Sequence, residues 1–149
     1  QMSRLISYLN ILSLEFSKNL IHKILTESEE MEVLIACLRL VITRKSLPRV
    51  RELLKSERWE IRLQVVQTLG RFGLKKDEKL LISSLNDLDW WVRYRAATAL
   101  MQMPGMNEAS LEKLANTLPN EFARDILHQV LAEMRLLCYV QPSSSILSK

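Results

Sequence analysis

Two histidines, two cysteines and one mixed aromatic, basic and acidic cluster are the groups through which this chain could do chemistry. His22 lies in Asn19-Leu20-Ile21-His22-Lys23, with no partner at metal-ligand spacing. Zinc needs three or four converging Cys, His or carboxylate ligands, and the sequence gathers no such set. Nucleophilic catalysis needs a serine or cysteine beside a base, and neither His22 nor His128 sits near such a motif. Gly70 and Gly73 make no phosphate-binding loop. No metal, no cofactor and no enzymatic activity are therefore expected. Cys37 (Ile-Ala-Cys-Leu) and Cys138 (Leu-Leu-Cys-Tyr) stand in apolar helical settings. They read as buried thiols of a reducing, cytoplasmic setting. What remains is binding chemistry, carried by Trp91, Tyr94 and Arg95 with Phe122 and Asp125.

These residues need a scaffold, and the composition says which kind. The 149 residues are 48% apolar and 26% charged, with three glycines and four prolines, which favours a helical domain over disorder or a turn-rich β fold. The net charge of +4 is too mild to imply nucleic acid unless it is concentrated in one place. The apolar stretch from Leu5 to Phe16 is interrupted by Ser7, Asn10 and Ser13, and is shorter than the roughly 20 residues a bilayer span needs. No membrane span is expected within the chain. It starts at Gln1 rather than Met, so it reads as an excised piece, with an upstream anchor left open.

The informative signal is self-similarity. A shift of 31 residues carries Trp59-Glu60-Ile61-Arg62 onto Trp90-Trp91-Val92-Arg93, and a second shift brings Ala123-Arg124 into the same register. Ile61, Val65, Leu69 and Phe72 recur at helical spacing. Before each such segment lies a shorter amphipathic one: Val50, Leu53 and Leu54, then Leu81, Ile82 and Leu85, then Leu111, Leu114 and Leu118. Ser56-Glu57 and Asn86-Asp87 mark tight turns, and Gly70 and Gly73 lie near a helix end. The unit is thus a first helix, a turn, a second helix and a loop. One hairpin cannot bury its apolar stripe alone, so neighbours must stack. His128 falls at the position of Val66 and Ala97, so it is either a bonded interior group or the sign of an open flank.

The second full unit, with Leu85, Asp87, Val92, Arg93, Ala96 and Leu100, resembles the HEAT-repeat pattern. Leu69-Gly70-Arg71-Phe72-Gly73 is similar to the helix ending of the phycobilisome-lyase type of HEAT repeat. The resemblance implies an all-α right-handed solenoid of about four hairpins filling 1–140. Residues 1–45 would be a divergent repeat or cap, 46–73, 74–104 and 105–138 the repeats, and 141–149 a flexible tail. It also implies a structural ladder through Arg62, Asp87, Arg93 and Arg124, with Ser56 and Leu118 standing where the other acids would be.

In that family the second helices line the concave surface. Helix geometry of about 100° per residue then presents Leu63, Trp91, Tyr94, Arg95, Phe122 and Ile126 there. Aromatic residues with arginine in a groove are what protein hot spots favour. The expected function is a scaffold holding a protein partner of undetermined identity. Glu60, Asp125 and Glu133 balance Arg71 and Arg95, so the groove reads as near neutral. Arg44, Lys45, Arg49, Arg51, Lys55 and Arg58 lie elsewhere, which disfavours nucleic acid as the partner. Two alternatives stand beside the scaffold. One is a nucleic-acid module resembling the HEAT-like alkyl-base DNA glycosylases, on Trp91, Tyr94, Arg95 and Asp125. The other is a cytosolic interaction domain of a larger membrane-anchored or multidomain protein. The iron-dependent HEAT-like hydroxylases use His-Glu pairs, and no His-Glu dipeptide occurs here.

Overall fold

Polar residues placed just ahead of apolar runs start several of the helices. Asp89 takes hydrogen bonds from the amides of Trp91 and Val92, and Asn107 from that of Ser110, each satisfying an otherwise unpaired helix-start donor. Pro48 occupies the first turn of another helix, where a missing amide hydrogen does no harm. A computed structural model describes residues 2–140. The expected tail at 141–149 lies outside them.

The described residues form eight α-helices. They are α1 (Met2–Glu27), α2 (Met31–Arg39), α3 (Leu47–Leu53), α4 (Trp59–Phe72), α5 (Glu78–Ser84), α6 (Trp90–Gln102), α7 (Glu108–Thr117) and α8 (Glu121–Val140). Short 3-10 turns at Arg44–Ser46 and Lys75–Asp77 lead into α3 and α5. The second helices α2, α4, α6 and α8 pack in sequence, each on the one before, while α3, α5 and α7 back α4, α6 and α8. This is an all-α helical solenoid.

One continuous core runs between the two rows. It includes Leu34 and Leu38 of α2, Val65 and Leu69 of α4, Ala96 and Leu100 of α6, and Leu127 and Leu131 of α8. Full burial of one such leucine stabilises by about 2 kcal/mol. Gly70 lies inside α4 rather than at its end, and it is buried. A Cβ added there would stand 2.6 Å from that of Ala99, so the missing side chain is what lets α4 and α6 meet so closely.

The two ends of the stack are covered less well. Only the last turns of α1 pack inward, through Ile21, Ile24 and Leu25. Leu5, Leu9, Leu12 and Phe16 stay exposed. The end of α1 is fixed by Arg49, which donates to the carbonyls of Leu25 (3.1 Å) and Ser28 (3.3 Å). At the other end Cys138 is exposed, against the expectation that both thiols are buried; the last turns of α8, with Leu136, Leu137 and Val140, are exposed with it. Cys37 is buried, and that burial pushes its thiol pKa up. His128 is exposed, so the last repeat does have an open flank.

A candidate protein-binding face on the second helices

Three arginines close the last three hairpins in the same way. Arg62 Nη1 donates to the carbonyls of Ser56 (2.9 Å) and Glu57 (3.1 Å). Arg93 does so to Asp87 (2.7 Å) and Leu88 (3.1 Å), and Arg124 to Leu118 (2.9 Å) and Pro119 (3.1 Å). Arg62 alone adds a carboxylate from the next repeat. Its Nε and Nη2 grip Asp87 at 2.8 and 2.9 Å in a bidentate pair. Burial alone pushes the Asp87 carboxyl up, but Arg62 and the Asp89 amide outweigh it and hold the group below the usual carboxylate range. Among the described residues Arg93 forms no ion pair with the next repeat, where Leu118 stands in the place of Asp87; its guanidinium lies 5.6 Å from the Phe122 ring centre instead. Phe122 therefore belongs to this hairpin edge.

A second bidentate pair escaped the sequence reading. Arg51 of α3 holds Asp77 at 2.6 and 3.0 Å, and Asp77, fully buried, also accepts the Leu74 amide at 2.7 Å. One repeat earlier the matching residue is Ser46, equally buried and 3.0 Å from His22 Nδ1. The 31-residue step aligns Ser46 with Asp77 as equivalent entrances of the first helices, but it does not name Arg51 as the partner.

On the second-helix face α6 carries an aromatic group. Trp90 stacks on Tyr94 with ring centres 5.2 Å apart, and meets Trp91 edge-on at 4.9 Å. The Tyr94 hydroxyl donates to Glu133 on α8 at 2.7 Å, and Gln129 donates to the same carboxylate at 3.0 Å. Those two hydrogen bonds, Gln129 first, lower the Glu133 pKa, while the bond to Glu133 raises that of Tyr94. Trp91 is 53% exposed. Leu63 is half-buried against the core.

Ile126 corrects the sequence reading, for it is 3% exposed and presents nothing to a partner. Its register is that of Gln64 and Arg95, which turns back toward the preceding second helix. Gln64, likewise buried, accepts a bond from Arg39 of α2 at 3.0 Å.

Between α2, α4 and α6 lies an open recess of about 380 Å³, lined by Arg39, Gln64, Gln67, Arg71, Arg95, Thr98, Ala99 and Gln102. Its charge differs from the near-neutral balance expected for the face as a whole. Three arginines line it and no acid does, since Glu60, Asp125 and Glu133 are not among its walls. Arg39, from the divergent first hairpin, was missed. Arg71 donates to the carbonyls of Val41 (3.0 Å), Leu38 (3.2 Å) and Arg39 (3.2 Å), and so caps the C-terminal end of α2. Among the described residues no three His, Cys, Asp or Glu side chains gather as a metal site.

A family model, HEAT repeats, matches residues 49–134. The chain belongs to the HEAT-repeat family. HEAT repeats serve in general as protein-interaction scaffolds, and the family is typically non-catalytic. The matched stretch runs from α3 into α8, and so takes in the aromatic group and two walls of the recess. A search of curated proteins finds no match. No described helix of this HEAT domain is long and apolar enough to cross a membrane.

Proposed function

We propose that the chain is a non-catalytic scaffold that holds a protein partner along the concave face of its second helices, with Trp91, Tyr94 and Arg95 at the centre and Leu63 beside them. The observation that carries this reading is the aromatic group of α6. Trp91 stands largely exposed next to a Tyr94 that is braced by Trp90 and Glu133. Rigid, partly exposed aromatic rings beside arginine give much contact area for little lost side-chain entropy. Arg62, Arg93 and Arg124 act as structural residues, and Phe122 is a peripheral contact. A cytoplasmic setting belongs to the same proposal and is supported by the two free thiols. The glycosylase-like alternative has less support, because the Tyr94 hydroxyl is engaged by Glu133 and Asp125 does not line the recess.

The test is affinity capture with wild type and a Trp91→Ala/Tyr94→Ala variant of unchanged circular dichroism. Proteins retained by the wild type should be lost from the variant. Identical recovery removes this face as the binding surface.

A further inference from the structure

We infer that the arginine recess between α2, α4 and α6 receives the carboxylates of an acidic, extended segment of the partner, an inference that rests on the second-helix face being the binding face. Arg39, Arg71 and Arg95 come from three successive second helices and line one recess of about 380 Å³. None of the three has a carboxylate partner among the described residues. Arg49, Arg51, Arg62 and Arg135 are paired with acids and several surface arginines are not, but the recess is where three arginines without such a pair line one cavity. Positive charge unpaired by carboxylates in a concave wall, even where the α2 C-terminus offsets part of that of Arg71, raises the local concentration of anions. The planar guanidinium fork matches a carboxylate in two hydrogen bonds.

The site is held ready. Arg71 is fixed by three backbone carbonyls, and Arg39 by Gln64. A ligand arriving there freezes little side-chain motion, which favours affinity. Between the arginines stand Gln67 and Gln102, whose amides both donate and accept, and Thr98, whose hydroxyl donates to the Arg95 carbonyl at 3.0 Å and is left as an acceptor. That suits the alternating N–H and C=O of an extended backbone.

The neighbouring aromatic group adds a distance. Trp91 and Thr98 are seven residues apart on one face of α6, about 10 Å along the axis. An extended chain crosses that span in about three residues. The segment should therefore carry an apolar side chain about three residues from its acidic ones. Nucleic acid fits less well. A strand following the face past α6 would meet the exposed Asp125 and then Glu133 on α8, where its phosphates need cations.

Fluorescence anisotropy on the full chain tests this. The probe is a labelled peptide of about 12 residues with two adjacent glutamates and a leucine three residues before them. Its glutamine counterpart and a short single-stranded DNA are the comparisons. The glutamate peptide should bind at least about tenfold tighter than the glutamine one and weaken with added salt. Arg39→Gln/Arg95→Gln, with melting temperature unchanged, should abolish that difference, and Arg95→Glu should weaken the glutamate peptide further than Arg95→Gln. The inference is overturned if neither peptide binds, if both bind alike, if their difference survives the double variant, or if DNA binds more tightly through the same arginines. Two peptides that bind alike and are both weakened by Trp91→Ala would sink the acidic ligand while leaving the binding face standing. Binding indifferent to Trp91 and to both arginines would sink the two readings together.

Discussion

The α4/α6 and α6/α8 junctions are the same contact one repeat apart, yet they are built differently. At the first, Gly70 lets the helices touch and Arg62 grips Asp87 of the next repeat. At the second, Met101 stands in the place of Gly70 and Leu118 in that of Asp87. Arg93 rests on the Phe122 ring, and a Tyr94–Glu133 hydrogen bond joins α6 to α8. Both arginines keep the same bonds to their own turn. The arginine is therefore set by hairpin closure, and the acid is an addition that one junction has and the other does without.

The sharpest way to break this comparison is at Gly70. Gly70→Leu should destabilise by more than about 4 kcal/mol or prevent folding, because the contact it would meet is backbone as well as side chain. Met101→Leu, the same register one repeat on, should cost under about 1.5 kcal/mol. Equal urea midpoints for the two variants would show that the junctions are equally close.

Next in size is Asp87→Ala, expected to cost about 2–3 kcal/mol because it leaves the half-buried Arg62 without its partner. The same pair has an acid signature. Asp87 and Asp77 both have folded-state pKa values below their ordinary ones. The unfolded chain thus takes up protons first, so the stability these groups add is complete above about pH 4 and is lost as pH falls through the lower folded values. A melting series from pH 7 to pH 2 should fall more steeply for wild type than for Asp87→Asn. Parallel curves would mean the pair adds nothing.

The smallest effect belongs to the substitute contact. Phe122→Ala removes an exposed cation–π interaction and should cost under about 1 kcal/mol in thermal melting. A loss as large as that of Asp87→Ala would make the two junctions energetically alike.

Much of this was legible in the residues, because a period of 31 carries both the core positions and the closing arginines. Less legible was anything decided by which neighbour covers a face. A helical wheel puts Ile126 beside Phe122 and Asp125, but it does not say that Ile126 is covered. It puts Cys138 on an apolar stripe without showing that α8 ends in exposed turns. Arg39 reaches the recess only because α2 packs on α4, and α2 belongs to the hairpin whose repeat pattern is weakest. Asp77 and Arg51 sit 26 residues apart on the first-helix row, where the apolar period gives no hint of polar pairing.

The arginine closures carry one more consequence. Each takes hold of peptide oxygens, which every amino acid supplies, so the fastening never inspects the side chains it spans. The three spans are Ser-Glu, Asp-Leu and Leu-Pro, with nothing chemical in common, and Leu88 hangs there almost wholly in solvent. Asp87 apart, whose carboxylate Arg62 holds, such corners are free to drift or to be rewritten, and residues grafted at Glu57 or Leu88 should leave the hairpins shut.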